Sequence, residues 1–308
     1  MIRKDYATAM KLLRPLADAG EAKLQILVGE MFGAGRGVKQ DKAIAAKYLR
    51  LAADQGDTGT QLLVGKAFFA GTYVSQDYAA ASRYIRLSAD NGNAEAQLIW
   101  GLLLKEGDHL PQDYVAALKY FRLSAEQGNV GAQANLGVLY EEGLGVTKNL
   151  AEALRFYQLS ASHGSADGQF KLGNMYHYGI GTKQDYAPAF QNYLAAAENG
   201  NAAAQTNLGY LYEMAFGTRK NLEQARKYYQ LAADQGERTG QLKLAIFYTV
   251  GKGAPRDYVQ AYSWANLAAA QGSGSATQLL DTLVNKMTLA QVAEGQKLSR
   301  EWKPAPKK

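Results

Sequence analysis

Cysteine is absent from all 308 residues, so the chain has neither disulfides nor thiolate metal ligands. That absence suits either side of a membrane and fixes no compartment. Histidine is almost absent as well. His109, His163 and His177 are the only three, no two of them stand at i, i+4, and there is no His-Glu-x-x-His arrangement. No metal site and no cofactor is therefore expected. No apolar run approaches the roughly 20 residues of a membrane-spanning helix. Charge is nearly balanced at +6, with 17 Lys/Arg against 17 Asp/Glu in residues 1–154 and 17 against 11 in residues 155–308. Part of that excess is the end Lys303-Pro304-Ala305-Pro306-Lys307-Lys308. Phosphate binding needs clustered cations, so nucleic acid is not an expected partner.

Signs of catalysis are missing too. The Gly-x-Gly pieces, such as Gly143-Leu144-Gly145, lack the Lys-Ser/Thr of a phosphate cradle. Glu141 and Glu142 are neighbours, and neighbours on a helix point about 100° apart, which makes a solvated helix end rather than a catalytic pair. No nucleophile stands beside a base. No catalytic residue is assigned, and the chain reads as a non-enzyme.

What the chain has in abundance is repetition. Residues 129–164 form one helical hairpin. Ala132, Gln133, Leu136, Gly137 and Tyr140 mark one face of a first helix, and Gly143 and Gly145 break it. Asn149, with Glu152 three residues on, reads as a capping box opening a second helix that Gly164 closes. So small a unit cannot bury its apolar stripe alone and must stack on copies of itself. The closing glycine recurs every 36 residues from Gly20 to Gly272. The second helix opens each time with Asp or Asn: Asp5, Asp41, Asp77, Asp113, Asn149, Asp185, Asn221 and Asp257. A glutamine column runs from Gln25 to Gln241, and a glycine column from Gly29 to Gly209 implies close helix contact. The predicted architecture is all-α, an α-α solenoid of antiparallel helix pairs in 36-residue repeats. Residues 1–20 are a half repeat with only the second helix, 21–272 are seven full repeats, 273–302 are capping helices and 303–308 a frayed tail.

The pattern A-Q-x-x-L-G-x-x-Y-x-x-G-x-G-V-x-x-(D/N), followed by A-x-x-Y-x-x-x-A-x-x-x-G, resembles the Sel1-like repeat, a relative of the tetratricopeptide repeat. The segments AYSWANLAAAQG and MTLAQVAEGQKLSREW are similar to the usual ending of bacterial members. The resemblance implies a right-handed superhelix whose first helices line a concave groove, and a role in assembling or sensing other proteins. Some exported members are cysteine-rich and associated with β-lactam or cell-wall chemistry, and this chain lacks their cysteines. The array starts in mid-unit, as in a mature chain whose leader has been removed. A periplasmic or secreted location is expected, with the cytoplasm as the alternative.

Sixteen of the 20 tyrosines fall in repeating columns, leaving Tyr73, Tyr178, Tyr210 and Tyr262. Helical phase turns Lys23, Ile26, Leu27, Glu30, Leu62, Leu63, Lys66, Phe69, Leu98, Ile99, Leu102 and Lys105 toward the groove in the first three units, an apolar set with isolated lysines. The later units instead turn Asn135, Lys171, Asn174, His177, Tyr178, Asn207, Tyr210, Glu213 and Lys243 toward it. Such side chains can satisfy a peptide backbone and stack on its side chains. The analogous tetratricopeptide grooves use Lys and Asn to hold a terminal carboxylate, which Asn135, Lys171, Asn174, Asn207 and Lys243 resemble. The expected function is a non-catalytic scaffold for a protein or peptide partner. The alternative is an exported cell-envelope protein acting on or binding a peptidoglycan-like polymer, with Tyr178, Tyr210 and Glu213 as a sugar-stacking site.

Overall fold

The computed structural model describes residues 5–305. Among them are 17 α-helices and no strand, and consecutive helices pack as pairs into an all-α solenoid. Two compact units divide the chain, the first ending at Lys148 and the second beginning at Asn149. In the first unit α1 (Tyr6–Asp18), α3 (Lys42–Ala53), α5 (Tyr78–Asp90) and α7 (Tyr114–Glu126) are second helices. Its first helices are α2 (Ala22–Ala34), α4 (Thr58–Ala70), α6 (Ala94–Glu106) and α8 (Val130–Glu142). In the second unit α9 (Leu150–Ser162), α11 (Tyr186–Glu198), α13 (Leu222–Asp234) and α15 (Tyr258–Ala270) alternate with α10 (Ala166–Tyr178), α12 (Ala202–Met214) and α14 (Arg238–Val250). The unit closes with α16 (Gly274–Val284) and α17 (Leu289–Glu301), both packed on α15.

Helix starts follow the Asp/Asn column. Each of Asp5, Asp41, Asp77, Asp113, Asn149, Asp185, Asn221 and Asp257 accepts a hydrogen bond from a backbone N–H two or three residues on. These are donors that a helix start otherwise leaves unpaired. The expected capping box at Asn149 is only half made. Glu152 turns its carboxylate to Arg155 at 2.9 Å rather than back to the cap. At Thr288 and Gln291 both halves of the box are present.

The glycine column is a close-approach site. A Cβ placed on Gly173 would lie 2.7 Å from the Tyr193 ring, which is fully buried. In the first unit, repeats are tied together by tyrosines of the second helices. Tyr48, Tyr84 and Tyr120 donate their hydroxyls to Asp18, Asp54 and Asp90, each 30 residues earlier. Burial, and then the Asp54 carboxylate, push the Tyr84 phenol up to about 12.

The chain's end departs from the frayed tail expected at 303–308. Trp302 packs edge-on to Trp264 at 6.4 Å, and the backbone N–H of Ala305 donates to the carbonyl of Asp234 at 2.7 Å. The aromatic contact turns residues 303–305 back onto the end of α13. Residues 306–308 of that tail, and 1–4 of the half repeat, lie outside the described residues.

Candidate functional site

First helices of the second unit are less wet than helical phase alone implies. Each packs on the second helix before it and the second helix after it, so only a narrow strip meets solvent. That packing decides what the sequence-selected polar residues do. Buried tyrosines need hydroxyl partners, because an unpaired buried polar group costs on the order of 1–3 kcal/mol. The Tyr193 hydroxyl donates to Asn174 Oδ1 at 2.7 Å and lies 3.2 Å from His177 Nδ1. Asn207 Nδ2 also donates to Asn174 Oδ1, at 3.3 Å. One repeat on, the Tyr229 hydroxyl donates to Glu213 Oε2 at 2.9 Å, while Lys252 pairs with the other carboxylate oxygen at 3.0 Å. Burial raises the pKa of both tyrosines.

Three expectations change as a result. His177 is 6% exposed and belongs to the core rather than to an open groove, and its burial lowers its pKa, so the imidazole is held neutral. The Glu213 side chain is 13% exposed and both its oxygens are engaged, which leaves no free carboxylate for a sugar site with Tyr178 and Tyr210. Asn174 serves the fold by holding Tyr193. The reason is common to all three: a large buried phenol on the following second helix consumes the polar group opposite it.

What remains is a strip of aromatic rings, half-buried for the most part, of which Tyr178 is the exposed one. Tyr178, 60% exposed, stacks on His177 with ring centroids 4.4 Å apart. His177 is parallel to Tyr210 at 6.1 Å, and Tyr210 meets Phe216 edge-on at 6.0 Å. Phe216 in turn stacks on Tyr186 at 4.4 Å. The Lys243 ammonium stands 5.4 Å from the centre of the Tyr210 ring and forms no ion pair among the described residues. Lys171 lies on α10, one helix from Tyr210, and is half-buried. Asn135 belongs to the first unit, on α8, where it accepts from Lys105 Nζ at 2.9 Å and donates to the Gly131 carbonyl. The structure thus brings Lys171, Asn174, His177, Tyr178, Asn207, Tyr210, Glu213 and Lys243 onto adjacent first helices of one unit, with Asn135 outside it.

Sequence reading missed Tyr186, Phe216 and Lys252. Phe216 had a signal: the corresponding connection residues are Arg36, Thr72, Asp108, Leu144, Ile180 and Lys252, none of them aromatic. Among the described residues no cluster of His, Asp and Glu could hold a metal, and no helix is long and apolar enough to cross a membrane.

Comparison with known proteins bears on the repeat fold. The Sel1 repeat model matches eight times, at residues 1–21, 22–57, 60–93, 94–129, 130–165, 166–201, 202–237 and 239–273. A Sel1 repeat protein from Oxalobacter formigenes is 32% identical, with a TM-score of 0.83 over 89% of this chain and 79% of its own. A protective antigen of uropathogenic Escherichia coli, c5321, which displays the same repeat fold, is 29% identical. It covers 97% of this chain and 80% of its own at a TM-score of 0.49. The immunity protein Pa5087 of Pseudomonas aeruginosa is 26% identical over 68% of this chain and 79% of its own, at 0.43. No curated protein matches the chain. With eight matched repeats covering nearly its whole length and the solved Oxalobacter structure superposing on most of it, the chain belongs to the Sel1 repeat family.

Proposed function

We propose that this protein is a non-catalytic scaffold that binds a segment of a protein partner along the aromatic strip of α10, α12 and α14. Proteins of the Sel1 repeat family generally mediate protein–protein interaction. The observation that carries the reading is the exposed Tyr178, backed by His177 and Tyr210, with the free Lys243 ammonium at the far end. An aromatic platform of this kind covers large contact area at low entropic cost, and tyrosine is enriched among energetic anchors of interfaces. An unpaired ammonium beside it complements a carboxylate, either a side chain or a chain end.

Variants that spare the tyrosine hydroxyl network give the test. Lys243→Glu and Tyr178→Ala each leave Asn174 and Glu213 untouched, so the melting midpoint should stay close to wild type. Partner capture from a lysate of the source cell should drop for both, by about tenfold for an anchor. Unchanged capture by both variants would place binding on another surface. Asn174→Ala is the wrong reagent, because stranding the Tyr193 hydroxyl costs about 1–3 kcal/mol of stability by itself.

A further inference from the structure

A cavity of about 270 Å³ opens in the first unit, lined by Leu49, Leu63, Ala67, Ala70 and Tyr73, with Glu30 and Lys66 at its polar positions. Tyr73, which departs from the repeat, forms one wall of it. Where Tyr73 stands, five other connections carry glycine, at Gly37, Gly145, Gly181, Gly217 and Gly253. Tyr73 keeps their left-handed backbone all the same, with φ 65°. On α2, Gly33 occupies the position that is Phe69, Lys105, Glu141, His177, Glu213 or Thr249 in the other repeats. A Cβ on Gly33 would fall 2.2 Å from the Tyr73 carbonyl oxygen and 2.5 Å from the Tyr73 Cβ. A side chain at position 33 would therefore collide with Tyr73 as it stands. Backbone strain at a non-glycine residue persists only where its surroundings enforce it, and it gathers at binding sites.

Charge around the cavity is uneven. Lys66 is neutralised by Glu95 of α6. Glu30 has neither an ion pair nor a side-chain hydrogen bond among the described residues, although it is half-buried at the cavity. A volume below the roughly 300–1,000 Å³ of small-molecule pockets suits a single side chain better than a metabolite. We infer that this cavity is an anchor pocket for a protein segment that sets one aliphatic side chain, of Leu, Ile or Met size, beside a Lys or Arg that pairs with Glu30. The pocket lies in the first unit and does not rest on the aromatic strip described above.

The probe is a phage-displayed library of random peptides, roughly 12 residues long, panned on the full chain. Enriched peptides should carry an aliphatic residue within about one helical turn of a Lys or Arg. Their binding should fall about tenfold or more in Ala67→Leu, which fills the cavity, and in Glu30→Gln, which removes the charge. Tyr73→Gly restores the glycine of the other connections and removes the wall. It should fold at least as well as wild type and bind as weakly as Ala67→Leu, so it decides the matter even if Ala67→Leu folds poorly. Lys243→Glu should leave these peptides bound, which separates this pocket from the aromatic strip. A library that yields no such peptides, or peptides that bind Ala67→Leu and Tyr73→Gly as well as wild type, overturns the assignment.

Discussion

Gln61 Oε1 is buried without a hydrogen-bond partner, and its counterparts in the other repeats show why. Gln25, Gln97, Gln205 and Gln241 each accept from a glutamine 30 residues on: Gln55, Gln127, Gln235 and Gln271, at 2.8–2.9 Å. Opposite Gln61 stands Asn91, one methylene shorter. Asn199 shows the limit of that shorter reach, touching Gln169 only at 3.2 Å. Asn91→Gln should therefore pair the orphaned oxygen and raise stability by about 0.5–1.5 kcal/mol, read as a higher urea midpoint. A lower midpoint would mean that the longer side chain cannot enter. His177 makes a second residue-scale prediction. Its burial disfavours the imidazolium, so its folded pKa lies below the roughly 6.5 of an unfolded histidine. The unfolded chain then binds more protons as pH falls through that range, and stability must drop. Its contribution is fully present above about pH 7.5 and is lost on acidification. Unfolding free energies measured between pH 7.5 and 5.5 should decline more steeply for wild type than for His177→Gln, whereas parallel declines would contradict the burial.

At the scale of the element, helix ends carry the clearest rule and one exception to it. First helices stop at a residue in the left-handed region, which is Gly35, Gly71, Gly107, Gly143, Gly179 and Gly251 in six repeats. In the seventh it is Ala215, with φ 61°. A Cβ in that region costs about 1–2 kcal/mol, offset in part by alanine's smaller unfolded-state entropy. Ala215→Gly should raise stability by about 1 kcal/mol, and a lowered melting midpoint would show that the Ala215 methyl packs usefully. These element ends were legible because caps act locally: an Asp or Asn every 36 residues meets the same free N–H groups each time. Glu152 was misread because Arg155, one turn on, competes for its carboxylate with the cap. The groove was harder for a related reason. A helical phase sees one helix, while Asn174, His177 and Glu213 answer to phenols on the next. The sequence nonetheless carried a signal, since His177 precedes Tyr193, and Glu213 precedes Tyr229, by the same 16 residues.

At the scale of the molecule, each unit is a stack of the same hairpins that differs in what its first helices leave exposed. In the first unit an apolar cavity sits beside an unpaired carboxylate. In the second, a row of aromatic rings ends at an unpaired ammonium. The repeat columns supply the scaffold; Tyr73 breaks a glycine column, while Gly33, Tyr178, Tyr210 and Phe216 stand at positions that differ from repeat to repeat. The second helices of both units turn leucines to solvent on another surface, Leu51, Leu87 and Leu123 in one and Leu231 in the other. A photo-crosslinking amino acid placed at residue 178, and separately at residue 231, distinguishes the two surfaces of the second unit in a single experiment. Binding along the first helices predicts a covalent adduct with the partner from position 178 and none from position 231; an adduct from position 231 with none from 178 would contradict it.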